Sequence, residues 1–408
     1  MTPETVSIVV VSRGRPQALA RCLTGISQLQ ASAFEVVVVA DPAGIASARA
    51  LPFGPALKLI PFDLANVSAA RNLGVSHAAG DVVAFIDDDA VPEPSWLRHL
   101  TAPALSGSVE ATGGYVRGRN GISFQWEAQA LDSFGVGVPL ALNRVTPTVL
   151  TPPNGRAVKT EGTNMAFRRT VLVELGGFDE AFRYFLDETD LNMRLAKAGH
   201  ATAIVPLAQV HHGFEPNAAR GLQRVPRDLF EIGASWAVFH RKHLSAAARP
   251  RAWEDLRQRE RKRLLRHMVA GRLEPGAVRH LMRRLDQGHA AGLERLCDQG
   301  AIEAEPLSGF RVFPAQVRSG RLISGRVWQA KALHVEAAER VSAGDIVTLI
   351  LLSPTTLFHR IRFCDAGYWL QTGGLFGKSE RHEPLFRWYR HAARIRKERD
   401  RIRAIRVM

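Results

Sequence analysis

The chain has little cysteine and no long apolar run. Cys22, Cys297 and Cys364 are its only three cysteines, odd in number and far apart. That excludes a disulfide framework and a cysteine-built zinc site, and leads us to expect a reducing compartment. A membrane-spanning helix needs about 20 predominantly apolar residues. The longest candidate, around Ile346 to Leu352, is only strand-sized. The opening MTPETVSIVVVSRGRP has no basic region ahead of its apolar run, which argues against a secretory leader and for a cytoplasmic protein. Internal repeats and low-complexity tracts are also missing. What remains is a globular composition, 408 residues at 46% apolar content, enough for two or three compact units.

Acidic charge is scarce as well, and unevenly so. The formal net charge is +15, yet residues 1–213 balance to −2 and the remainder to +17. The two halves are therefore expected to do different jobs. A basic C-terminal half suits nucleic acid, an anionic membrane or an acidic glycan, and charge alone does not choose between them.

The first half alternates buried strands with helices. VSIVVV and EVVVVA (Glu35 to Ala40) are continuous β-branched runs of the kind buried on both faces. A shorter strand follows at Ala56 to Ile60, a helix over Asn66 to Ala78, and a fourth strand over Val82 to Ile86. Such alternation predicts an α/β, doubly wound, mostly parallel sheet, with ligands at the carboxyl ends of its strands. Ser12, Asp41 and Asp87 to Asp89 stand at those ends. Further strands are expected at Glu110 to Arg117 and in AIVPLAQVHH, with a Pro- and Gly-rich stretch between them from Val136 to Gly155.

Three consecutive aspartates at the tip of a buried strand repel one another, which points to a cation or a catalytic task. Hard divalent cations favour carboxylate oxygens and share their shell with substrate phosphates. The plain alternative is an acidic turn before the next helix. Asp187, Glu188 and Asp190 form a second acidic cluster, where helix capping and an i,i+4 pair of Asp190 with Arg194 are the structural alternatives.

The run NVSAARNLGVSHAAGDVVAFIDDDAVPEPSW, followed by EGTNMAFRR and GGFDEAFRYFLDETDLNMRL, resembles family 2 glycosyltransferases of the nucleotide-sugar-binding GT-A fold. The likeness covers roughly residues 5–215. It implies a Rossmann-like catalytic domain, split at residue 105 into nucleotide and acceptor halves, and an inverting, metal-dependent transfer from a nucleotide-diphospho-sugar. A polysaccharide or lipid-linked saccharide would be the acceptor, and Mn2+ or Mg2+ the metal. The resemblance gives Asp41 to a nucleobase, although the usual Asp-Asp-Gly-Ser turn is here Ala40-Asp41-Pro42-Ala43. It gives Ser12 and Arg71 to the donor, Asp87 or Asp88 to ribose or metal, and Asp89 to the metal. His211, at the end of AIVPLAQVHH, is expected near the metal, and Asn164 and Asp190 on the acceptor side. The general base is Glu188 by register, with Asp187 a second candidate because the family's Glu-Asp order is exchanged here.

Beyond residue 215 the likeness ends. A basic, mostly helical region is expected over 216–320 and a small α+β segment over 321–408. Its closing FRWYRHAARIRKERDRIRAIR interleaves aromatics with arginine and suits peripheral contact with the inner face of an anionic membrane; nucleic acid is the disfavoured partner. Two other functional readings stand beside the transferase. One is a non-catalytic binding protein that kept the fold. The other is a haloacid-dehalogenase-like phosphatase, disfavoured because its aspartate motif belongs on the first strand.

Overall fold

The computed structural model describes residues 4–31, 33–151, 156–213, 215, 221–297 and 302–408. Along the chain lie β1 (Val6–Ser12), α1 (Pro16–Ile26), β2 (Phe34–Ala40), α2 (Pro42–Arg49), β3 (Lys58–Pro61), α3 (Val67–His77), β4 (Val82–Asp87), β5 (Ala90–Pro92) and α4 (Trp96–Leu105). Then come β6 (Ala111–Arg117), β7 (Phe124–Trp126), β8 (Gln129–Leu131), β9 (Gly137–Pro139), β10 (Thr148–Leu150), β11 (Ala157–Lys159), β12 (Met165–Arg168), α5 (Arg169–Glu174), α6 (Asp187–Lys197) and β13 (Thr202–His212). The C-terminal half adds α7 (Phe230–His243), α8 (Arg249–Val269), α9 (Pro275–Glu294), β14 (Gly320–Arg326), α10 (Ala330–Ser342), β15 (Ile346–Ser353), β16 (Arg360–Phe363), β17 (Trp369–Gly374) and α11 (His391–Ile402).

The main sheet has the order β10-β13-β6-β12-β4-β1-β2-β3, with β5 pairing to β13 and β7 to β6. Strands β4, β1, β2 and β3 run parallel, while β12 inserts antiparallel between β4 and β6. The buried β-branched runs of β1 and β2 form its centre, as their two-faced hydrophobicity requires. Local chemistry sets the ends of the helices. Pro42 opens α2 behind the Asp41 cap, and the Asn66 side chain accepts from Ala69 N to start α3. Two cores sandwich the sheet, one built on Leu19, Leu23 and Trp96, the other on Phe85, Phe167 and Phe178.

Strand β13 carries a bulge between Val205 and Gln209, opposite Gly114 of β6. A Cβ on Gly114 would lie 2.1 Å from the Ala208 carbonyl oxygen, so only glycine fits beside the bulge. The strand resumes its pairing beyond it and ends at His211 and His212, next to β5.

The C-terminal half is packed onto this unit. Helix α7 buries Trp236 and Phe239 against Phe182 and Leu186. Phe313 stacks on Phe34 with ring centroids 5.3 Å apart, and Ile302 enters the core beneath β4, so residues 302–313 strap the sheet from outside. A four-stranded sheet, β14-β15-β17-β16, then docks Ile361, Phe363 and Trp369 on Val91 of β5. Strands β15 and β16 were expected, from Ile346 to Leu352 and from HRIRF; β14 and β17 were not. Helix α11 turns Arg394 and Glu398 inward, while Arg396 and Arg399 stay exposed.

Candidate active site

The carboxyl ends of β1 and β4 bring Ser12 and the aspartates together. Asp88 is fully buried. It accepts from Ser12 Oγ at 2.6 Å and forms an ion pair with the Arg15 guanidinium at 2.5 Å. Burial pushes its carboxyl up to about 7, with Arg15 opposing and Asp89 reinforcing the shift. Asp89 meets the same Arg15 at 3.1 Å, His212 Nε2 at 3.1 Å and the backbone N–H of Glu215 at 2.9 Å. Burial disfavours its charged form, but His212 and Arg15 outweigh this and hold the carboxyl well below the usual range. Asp87 remains partly open at the cleft.

Ligand atoms of Asp87, Asp89 and His212 lie within 4.8 Å of one another. Two carboxylates and an imidazole in that spacing fit Mn2+ or Mg2+, leaving further coordination positions to a ligand. The histidine is not the expected one. His211 points the other way, hydrogen-bonded to Glu93 at 2.8 Å and packed on Trp369 with centroids 4.7 Å apart. Alternation along β13 puts neighbouring side chains on opposite faces, so the expectation moves by one residue, to His212. Burial drops the His211 imidazole to about 4, with Glu93 opposing and Arg117 and Arg406 reinforcing.

Arg71 joins the two acidic clusters. Its buried guanidinium contacts Asp87 at 3.2 Å, the Gly162 carbonyl at 3.2 Å, and Asp187. Asp187 begins α6 behind Leu186, which sits at φ 68°. Burial raises its carboxyl to about 7; Arg71 opposes the shift and neighbouring Glu188 reinforces it. Glu188 is only partly buried and lies near enough to act on both Arg71 and Asp187. Glu161, paired with Lys159 at 2.7 Å, lies near enough to sense both Asp87 and His212, and burial raises it.

Other expected residues are spent on structure. The Asn164 amide donates to Tyr115 and Ala208 carbonyls and accepts from Trp96 Nε1, all within 2.9 Å, so it stitches the bulge and is buried out of an acceptor's reach. Asp190 is buried between Arg194, Lys242 and His243, each at 2.8 Å, and fastens α7 to α6 instead of facing a substrate. Asp41 accepts from the backbone N–H groups of Gly14 and Gly44, both at 3.1 Å, which places it at the expected strand end with its oxygens engaged. Arg15, Glu161 and His212 were missed. The SRGRP turn after β1 was the available signal for Arg15.

The Pre-mycofactocin glycosyltransferase of Mycobacterium tuberculosis is 29% identical over 149 residues, 36% of this chain and 29% of that protein. Succinoglycan biosynthesis protein ExoM of Rhizobium meliloti is 37% identical over 92 residues, 21% of this chain and 29% of its own. The chain thus spans less than a third of the length of these relatives. A crystal structure of GalNAc-T7 with UDP, GalNAc and Mn2+ aligns at TM-score 0.43 and 15% identity, covering 59% of this chain and 48% of that one. The description "Glycosyltransferase like family 2" matches residues 3–229, more than half of the sequence and all of the main sheet, and the chain belongs to that family.

Proposed function

We propose that the protein is an inverting glycosyltransferase that moves a sugar from a nucleotide-diphospho-sugar to a saccharide acceptor, polymeric or lipid-linked. The observation that carries this reading is Arg71, whose one guanidinium spans the Asp87 and Asp187 carboxylates and so puts both acidic clusters in a single cleft. Asp87, Asp89 and His212 would hold a divalent cation there. Bound, such a cation neutralises charge on a departing diphosphate.

Glu188 is the general base. It takes the proton of the acceptor hydroxyl as that oxygen bonds the anomeric carbon, while the carbon–oxygen bond to the diphosphate breaks and the diphosphate leaves with the electron pair. Asp187 is a positioning residue, because its carboxylate is committed to Arg71. Arg15 shields Asp88 and Asp89 from mutual repulsion and keeps the cluster compact.

Peripheral contact with an anionic membrane belongs to the same reading. No helix among the described residues is long and apolar enough to cross a membrane. Phe386 and Trp388 are exposed beside Arg387 and Arg390. Binding to anionic vesicles, lost in Phe386→Ser/Trp388→Ser, tests it; equal binding by the variant ends it.

The main experiment is nucleotide release from UDP-, dTDP- and GDP-sugars with Mn2+ or Mg2+, for the native protein and Asp89→Ala, alongside nucleotide binding. Metal-dependent release from one donor, lost in the variant, is expected. Native protein that neither binds nor releases any nucleotide would overturn the reading.

A further inference from the structure

Asp89 and His212 line a cavity of about 130 Å³ whose wall also carries Val91 and Arg362. Asp87 lies outside that cavity, partly exposed and paired with Arg71 at 3.2 Å. Beside Asp87 and Arg71 runs the turn between β11 and β12, residues 160–164. It carries a carboxylate, Glu161, that neither the cation nor the base of the proposed reaction uses.

The turn is fixed without that carboxylate. Thr160 is 1% exposed; its Oγ1 donates to Asn192 Oδ1 of α6 at 2.9 Å, and its carbonyl accepts from Asn192 Nδ2 at 3.2 Å. Asn164 N donates to the Glu161 carbonyl at 2.7 Å and closes the turn. Gly162 lies against Arg71: its carbonyl accepts from the guanidinium at 3.2 Å, and a Cβ there would stand 2.6 Å from Arg71 Nη2. Backbone and Asn192 therefore hold the turn before the side chains of Lys159 and Glu161 are counted.

Side chains two apart at a strand end share a face, and these two form an ion pair at 2.7 Å. Each is 14% exposed, so the pair is largely desolvated yet still open to the cleft. Lys159 Nζ lies 4.5 Å from the centroid of the Trp126 ring, whose face steadies the cation. Lys159 takes Oε1 of Glu161; among the described residues no ion pair or hydrogen bond takes Oε2. Burial raises the Glu161 carboxyl, with Lys159 and His212 opposing and Asp87 reinforcing, so two of the three candidate metal ligands lie within its field.

An ionised carboxylate only accepts and an ammonium only donates. Side by side they match two neighbouring hydroxyls, one donating to Glu161 and the other accepting from Lys159. A transferred sugar lies between the cation on its diphosphate and the base at its attacker. Glu161 borders both, through Asp87 and His212 on one hand and through Gly162 and the Arg71 that holds Asp187 on the other. Resting on the transferase reading, we propose that Lys159 and Glu161 are specificity-determining residues that read two adjacent hydroxyls of the transferred sugar.

Equilibrium binding to the full chain at saturating Mn2+ tests this, with UDP-glucose, UDP-galactose, UDP-N-acetylglucosamine, dTDP-rhamnose and GDP-mannose each compared with its bare nucleoside diphosphate. In the native protein at least one sugar raises affinity above that of the nucleotide alone. Glu161→Gln removes about tenfold or more of that gain, the scale of a hydrogen bond to a charged group. Its binding of the bare nucleotide and of Mn2+ stays native, which also shows that the variant is folded. Lys159→Gln lowers the same gain with the same unchanged nucleotide binding. An undiminished gain in both variants would overturn the proposal, as would an equal loss of sugar and bare-nucleotide affinity. Weaker Mn2+ binding by Glu161→Gln in the absence of nucleotide would also overturn it and give Glu161 to the metal. Native protein that binds a nucleotide but gains nothing from any of the sugars overturns this proposal alone; native protein that binds no nucleotide overturns the transferase reading and this one with it.

Discussion

Replacing Arg406 by methionine removes the cation that ties the end of the chain to the strand beside the acid cluster. Its guanidinium donates to both Glu93 oxygens, at 2.6 and 2.9 Å, and to Thr348 Oγ1 at 3.1 Å, and it lies 4.0 Å from the Trp369 ring centroid. Both side chains of the pair are 1% exposed, so the variant strands a buried carboxylate. Breaking such a pair from one side costs about 3–5 kcal/mol, most of it the uncompensated charge rather than the net worth of the pair. Glu93→Gln/Arg406→Met should therefore be more stable than Arg406→Met alone. The pH dependence has a definite sign. Burial raises the Glu93 carboxyl, but Arg406 and His211 outweigh it and bring it from 4.5 down to about 2. That stability is present above pH 4.5 and lost as pH falls from 4.5 toward 2. Arg406→Met should lose less stability over that window. Hydrogen exchange of the β5 and β15 amides is the appropriate assay, because a chain of several packed units need not unfold in one step. Exchange within about 0.5 kcal/mol of native in Arg406→Met, the range of an ordinary surface change, would refute the reasoning.

Glu188→Gln should lower transfer by about 10²–10⁴, the usual contribution of a general base, while donor affinity stays near native; full activity would move the role to Asp187. Asp187→Asn should weaken donor binding as well as rate, since it loosens Arg71. His212→Ala should weaken Mn2+ binding measured by water-proton relaxation, and His211→Ala should do so less; the reverse order would restore His211 to the metal.

The parallel half of the sheet was legible because two-faced burial forces continuous β-branched runs, and these alone located β1, β2 and β4. The acidic clusters were legible for the opposite reason: charge at a strand tip has no packing explanation. What failed was orientation. His211 and His212 are adjacent, and a bulge at residues 205–209 together with pairing to β5 decides which one faces Asp89. Asn164 reads as an exposed polar loop residue until the Ala208 and Tyr115 carbonyls across the sheet claim its amide. Both depend on contacts between residues more than 40 positions apart, which no local pattern encodes.

The basic C-terminal half shows a deeper ambiguity. A run of arginines reads as a solvated or membrane-facing helix, because a lone cation inside a protein is prohibitive. Here burial of Arg406 depends on an acid far away in sequence, Glu93, while Arg394 and Arg401 share Glu398 of their own helix, each at 3.0 Å. Glu398 also accepts from Gln371 and Ser379, both at 2.8 Å, so one carboxylate organises β17, the loop and α11 at once. Arginines with such partners hold the C-terminal sheet against β5. Others stay exposed on the same sheet, as Arg360 and Arg362 of β16 do. Composition cannot separate these two groups. Docking does, because the same contact that buries Arg406 also brings Arg362 to the wall of the cavity that holds Asp89.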